Sequence, residues 1–188
     1  MVCRILVFLA LFISSSQLPL FAQNRYEEQF RTSKVVVIGK IEKTLWVIDS
    51  KKMNEASEDL KKVEEAMLGH LTFMKVEEII YAEKETKIER TILIYVPKGY
   101  WADDSLPRFK TDEKYLIFLS SLQFQPDFEE AVISDFTEKT KETKFDPKIV
   151  FFVKNKSQGI IQLTESNKEI INYIRELMQS NGSFDCYK

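Results

Sequence analysis

Val35-Val36-Val37-Ile38-Gly39-Lys40-Ile41 is the stretch on which the fold turns. Five of its seven residues are β-branched, and its first four are apolar without alternation. Such a run suits a strand covered on both faces better than a helix, where branched side chains crowd the preceding turn. Apolar character resumes at Leu45-Trp46-Val47-Ile48, so one long strand is expected. Gly39 in mid-run marks a bulge or sharp bend, which a small closed sheet needs.

Working outward, residues 68–81 alternate Leu71, Phe73, Lys75 and Glu77 against Thr72, Met74, Val76 and Glu78, a second strand. Residues 87–96 form a third, halted by Pro97. Lys114-Tyr115-Leu116-Ile117-Phe118-Leu119 is a buried fourth strand. Residues 149–153 and 159–163 pair as a last hairpin across 154–158. Between the first two strands, residues 49–66 are a charged excursion around Ala56, Leu60, Val63 and Met67, either a surface helix or a mobile connection. Residues 98–107 are a loop by their turn residues, and 126–148, polar and Pro-flanked, a long one.

Two helices frame the strands. Residues 24–30 put Tyr26 and Phe30 on one face of a short helix. The C-terminal helix opens on a capping box of Ser166 and Glu169. It carries Ile170, Ile171, Ile174, Leu177 and Met178 on one side and stops at Gly182.

Upstream, Arg4 precedes nine apolar residues, Ile5 to Ile13, and a small residue follows at Ala22. That is a secretory signal peptide over 1–22, too short for the roughly 20 residues a spanning helix needs. The protein is expected to be secreted or periplasmic, starting at Gln23. Cys3 leaves with the leader, and Cys186 then has no intrachain partner. Stability must come from the core. With 188 residues, 44% apolar, 27 basic and 29 acidic, the chain fits one ordinary domain over 23–188. A formal net charge of −2 is too balanced to suggest a dedicated nucleic-acid binder.

Catalytic sets are missing. His70 is the only histidine, and no His-Glu-x-x-His occurs, so no metal ligand set and no cofactor is expected. There is no Gly-x-Ser-x-Gly and no Ser-x-x-Lys. The acidic pairs Glu77/Glu78, Asp103/Asp104 and Glu129/Glu130 can in principle act as a glycosidase pair. Neighbours on a strand point to opposite faces, and the loop pairs read as solvated charge.

Two regions remain as candidate binding surfaces. Tyr100 and Trp101, followed by Asp103 and Asp104, can stack on a sugar ring or anchor a protein partner. The plainer alternative has Trp101 capping the open end of a barrel. Lys139, Lys141, Lys144, Lys148, Lys154 and Lys156 surround Phe145, Phe151 and Phe152, a pattern that suits single-stranded nucleic acid. Interspersed Glu138 and Glu142 make a solvated face the better reading.

The opening helix and Val35–Ile41 run, Phe73–Ile80, Pro107-Arg108-Phe109 with Asp112–Leu119, and Gln158-Gly159 together resemble a group of small secreted bacterial proteins. Their cores are similar to the netrin-like, tissue-inhibitor-of-metalloproteinase-like OB barrel. The resemblance spans roughly 24–163 and implies a mainly β fold: a five-stranded OB-like barrel with a short N-terminal helix and a C-terminal amphipathic helix. Inhibitors of that type chelate the protease zinc through a disulfide-bonded N-terminal Cys, which a chain starting at Gln23 lacks. The expected function is therefore an exported, non-enzymatic domain that recognises a protein, or a glycan, through its loops. The alternatives are an exported hydrolase using loop carboxylates and a protease inhibitor that does not chelate.

Overall fold

The computed structural model describes residues 20–56, 60–99, 109–121, 128–134, 143–153 and 159–180. The chain divides into two units, Gln29–Leu163 and the two terminal segments Met1–Glu28 with Thr164–Lys188. The fold is mainly β.

In the larger unit, β1 (Val35–Asp49) is the long strand expected from the β-branched run. It pairs antiparallel with β2 (Met67–Ala82) along its whole length, and the register slips between Ile38 and Gly39, where a bulge is expected. A Cβ on Gly39 would lie 2.4 Å from the Lys75 carbonyl oxygen and 2.8 Å from Met74 Cε. The close approach of β2 is what requires glycine there.

β2 pairs with β3 (Thr91–Pro97), which ends at its proline. Along the other edge of β1, Val35–Lys40 pair with β4 (Lys114–Ser121). Beyond the bulges that same edge takes β5 (Ala131–Ser134) at Trp46–Asp49, and β6 (Thr143–Lys144) pairs with β5. β7 (Val150–Val153) lies parallel to β3 and antiparallel to β4. The pairings β1–β2–β3–β7–β4–β1 thus return to their starting point, a ring of five strands.

Three expectations are corrected. The segments at 149–153 and 159–163 are not a hairpin. Val153 pairs with Leu119, and β8 (Ile160–Gln162) resumes at Ile117, further along the same edge of β4. The two run in the same direction as one broken strand. The Phe118 N–H donates to the Gly159 carbonyl at 2.9 Å, between the two paired segments. Next, 126–148 is not all loop, because it carries β5, β6 and a 3₁₀ turn at Pro147–Ile149. Last, the capping box before the C-terminal helix lies two residues earlier than read, on a 3₁₀ turn that leads into it. The Thr164 N–H donates to Asn167 Oδ1 at 2.8 Å and a 3₁₀ turn spans Glu165–Asn167.

Residues from all five ring strands form one core: Val35, Val37, Met74, Ile92, Ile94, Tyr115, Ile117, Leu119 and Val153 are among them, each nearly or fully buried. A second cluster lies on the opposite face of β3, where Tyr95 packs with Phe128 and Phe145 at ring separations of 5.1–5.7 Å. The β4–β7 connection supplies both phenylalanines. It therefore covers the sheet's second face, and β3 is buried on both sides. Residues 49–66 hold two short helices, α2 (Ser50–Ala56) and α3 (Leu60–Ala66), after α1 (Leu20–Thr32). Ala56 and Ala66 are buried.

In the terminal unit, α4 (Lys168–Ser180) buries Ile174, with Ile170, Ile171 and Leu177 half-buried on the same face. The Tyr173 hydroxyl lies 3.5 Å from a Glu27 carboxylate oxygen on the first part of α1.

Candidate functional site

Tyr100, Trp101, Asp103 and Asp104 lie outside the described residues, as does the proposed leader up to residue 19. The structure does define both roots of the 100–108 loop. At the first, β3 ends in register with the start of β2, Gly69 opposite Pro97. The Leu68 carbonyl accepts two hydrogen bonds, from the Tyr95 hydroxyl at 2.7 Å and the Lys98 N–H at 2.9 Å. The Lys98 ammonium reaches α3, donating to the Glu64 carbonyl at 2.6 Å with the Glu64 carboxylate 3.8 Å away. Gly99 then turns the chain with φ +76°. Gly69 permits this crossing, since a Cβ there would meet the Val96 carbonyl oxygen at 2.4 Å.

At the second root, Phe109 packs edge-on against Tyr115 at 5.2 Å, and the Lys110 N–H donates to the Tyr115 hydroxyl at 2.9 Å. Burial pushes the Tyr115 phenol above its ordinary pKa. Asp112 holds φ +69°, a conformation aspartate tolerates better than most residues, and its carboxylate pairs with the Lys40 ammonium at 2.9 Å. That hydrogen bond and charge raise the Lys40 pKa. Lys40 and Lys114 stand opposite each other in the β1–β4 register, and each ammonium has its own acid: Asp112 for Lys40, and Glu77 at 2.6 Å for Lys114.

His70 lies one residue from the first root, in register with Trp46, and the two rings sit 4.0 Å apart at a 40° tilt. The imidazole is half-buried, and burial lowers its pKa. Thr44 and Thr72 continue the same pairing, their hydroxyls 3.3 Å apart. Among the described residues no group of three or more His, Cys, Asp or Glu side chains is arranged to hold a metal ion.

The other sequence candidates separate. Phe145 is 1% exposed inside the second cluster, and Phe151 and Phe152 pack against the two cores. Stacking on bases needs open ring faces, so this trio does not make a nucleic-acid platform. Lys144 and Lys148 are exposed, whereas Lys139, Lys141, Lys154 and Lys156 lie outside the described residues. Glu77 serves Lys114, and Glu129 and Glu130 are exposed, with the Glu130 carbonyl accepting from the Ser50 N–H at 3.1 Å. Asp103/Asp104 is thus the one acidic pair whose surroundings fall outside the described residues. Sequence reasoning missed a cleft at the other end of β3, lined by Lys34, the 83–89 connection and the start of β7.

No protein-family model matches the chain, and no curated protein matches it. No helix among the described residues is long and apolar enough to cross a membrane.

Proposed function

We propose that the chain is an exported, non-enzymatic recognition domain built on an OB-like barrel, binding a protein partner through the 100–108 loop. Strand connectivity supports the fold. The ring closes in the order β1–β2–β3–β7–β4, with β3 and β7 its one parallel pair. A ring of five strands closed in this way is consistent with the five-stranded Greek-key barrel that the sequence leads one to expect. The leader sequence supports export.

The observation that carries the site is the double anchoring of the Tyr100-Trp101 loop. One root is tied to Leu68 and Glu64, the other to Tyr115 and Ile41, whose carbonyl accepts from the Asp112 N–H at 2.9 Å. Ordered flanks on both sides of residues 100–108 lower the ordering cost of binding through them. A protein partner is favoured over a glycan because a Trp beside two acids suits a hot spot with a charged rim.

Affinity capture from the native envelope or medium tests this, comparing the wild-type domain with Trp101→Ala. Specific partners retained by the wild type and lost by the variant are expected. Identical partner sets would remove the loop from the reading. Hydrolysis of a glycan or peptide panel, abolished by Asp104→Asn, would replace it with an enzymatic one.

A further inference from the structure

α1 runs Leu20–Thr32, so the expected cut after Ala22 falls inside its first turn. What remains is a helix whose first residue is Gln23. The far end of that helix is fixed in the larger unit, where Phe30 is buried with its ring 5.1 Å from Tyr81. In the terminal unit, Glu27, one turn after Gln23, is met by the Tyr173 hydroxyl of α4 at 3.5 Å.

Hydrolysis of the peptide bond between Ala22 and Gln23 leaves a free α-amine at the start of this helix. The first backbone N–H groups there lack intrahelical acceptors and carry the positive end of the helix dipole. The new first turn, Gln23-Asn24-Arg25-Tyr26, adds the charge of Arg25 and no acid, with Glu27 and Glu28 following only in the next turn. A further cation is disfavoured at this end. An α-amine titrates at about 8 in an unstructured chain, and this setting shifts it toward its neutral, nucleophilic form. The side chain of glutamine places an amide carbon where attack by the residue's own α-nitrogen closes a five-membered ring.

Resting on the export reading above, we propose that the mature chain is blocked by cyclisation of Gln23 to pyroglutamate. The α-nitrogen attacks the side-chain Cδ, a C–N bond forms and the Cδ–Nε2 bond breaks. The amide nitrogen leaves as ammonia, taking the proton that the amine gives up. No oxidant, reductant or co-reactant is consumed. The product is a neutral lactam. It removes a cation from the positive end of α1 and denies aminopeptidases the free amine they need.

The test uses the full chain expressed in its native host and recovered from the envelope or medium. Digestion at glutamates releases an N-terminal peptide ending at Glu27, whose mass reads the chain start and its chemical state together. The peptide covering residues 23–27 should be one ammonia lighter than its free form, and closed to Edman degradation until a pyroglutamyl peptidase removes its first residue. A synthetic peptide of the same sequence, carried through the same steps, corrects for ring closure during handling. In Gln23→Asn the shorter side chain would have to close a four-membered ring, so the peptide should carry a free amine. A wild-type peptide that starts at Gln23 with its amine intact overturns the proposal and leaves export standing, and so does an ammonia loss that persists in Gln23→Asn. A chain that keeps its leader, or starts elsewhere, overturns the proposal together with the cut on which it rests.

Discussion

Gly39 shows how much one residue can decide. Its neighbours demand a strand, yet the bulge brings the Lys75 carbonyl to within 2.4 Å of where a Cβ would stand. That contact is backbone and cannot rotate away, so Gly39→Ala must push β1 off β2. A loss of about 1–3 kcal/mol is expected, the range for overpacking a tight site. Urea unfolding measures it, and an unchanged midpoint would mean that β2 shifts freely. His70 gives the pH dependence. Its pKa is lowered in the fold by burial, so below about 6.5 the unfolded chain binds a proton that the folded chain resists. Stability should therefore fall as pH drops through that value, and above it His70 contributes no slope. Urea midpoints from about pH 8 to pH 5 should decline more steeply for wild type than for His70→Gln. Parallel declines would mean that folding leaves the proton affinity of His70 unchanged.

At the scale of elements, local pattern and pairing partner come apart. β1, β2, β4 and the stop at Pro97 were legible because each is a dense β-branched or alternating run bounded by a breaker. β5 was not, since Ala131-Val132-Ile133-Ser134 is only four residues long and buried by what it meets: Val47 and Ile48 on β1, and the Phe128–Phe145 pair. The broken strand β7–β8 misled for another reason. Two short apolar runs with five polar residues between them read as a hairpin, but periodicity specifies a face and never an edge. Here one edge of β4 had room for both runs end to end. The capped 3₁₀ turn that leads into α4 shows the same limit. Thr164-x-x-Asn167 and Ser166-x-x-Glu169 are overlapping candidates, and the chain's exit settles the choice. The Leu163 N–H is spent on the Lys114 carbonyl at 2.9 Å, which puts Thr164 at the turn. Of the candidate site, the loop composition was legible. The anchoring of its roots was not, because Leu68, Glu64 and Tyr115 are distant in sequence and carry no motif. The cleft follows from β7 starting late against β3, a relation between strands that no single segment encodes.

For the whole molecule, ring closure makes a prediction about where opening is hardest. Val35–Lys40 are paired on one side with β2 and on the other with β4, while Tyr115–Leu119 are paired with β1 and with β7 or β8. Neither segment has an edge from which to fray, and their inward side chains are fully buried in the shared core. Exposing their amides requires breaking two seams at once, which approaches global unfolding. β5 hangs on β1 by four register pairs and β6 on β5 by only two, with Thr143 and Lys144 exposed, and both can detach while the ring stays shut. Hydrogen exchange followed by mass spectrometry should therefore rank peptides covering 35–41 and 114–120 as the slowest. Peptides covering 131–134 and 143–146 should exchange faster by orders of magnitude. Equal protection in the two sets would mean that the β4–β7 connection folds as part of the ring, held by Phe128 and Phe145 as firmly as β1 is held by β4. In that case the aromatic cluster around Tyr95, and not the seam between β1 and β4, would set the stability of the domain.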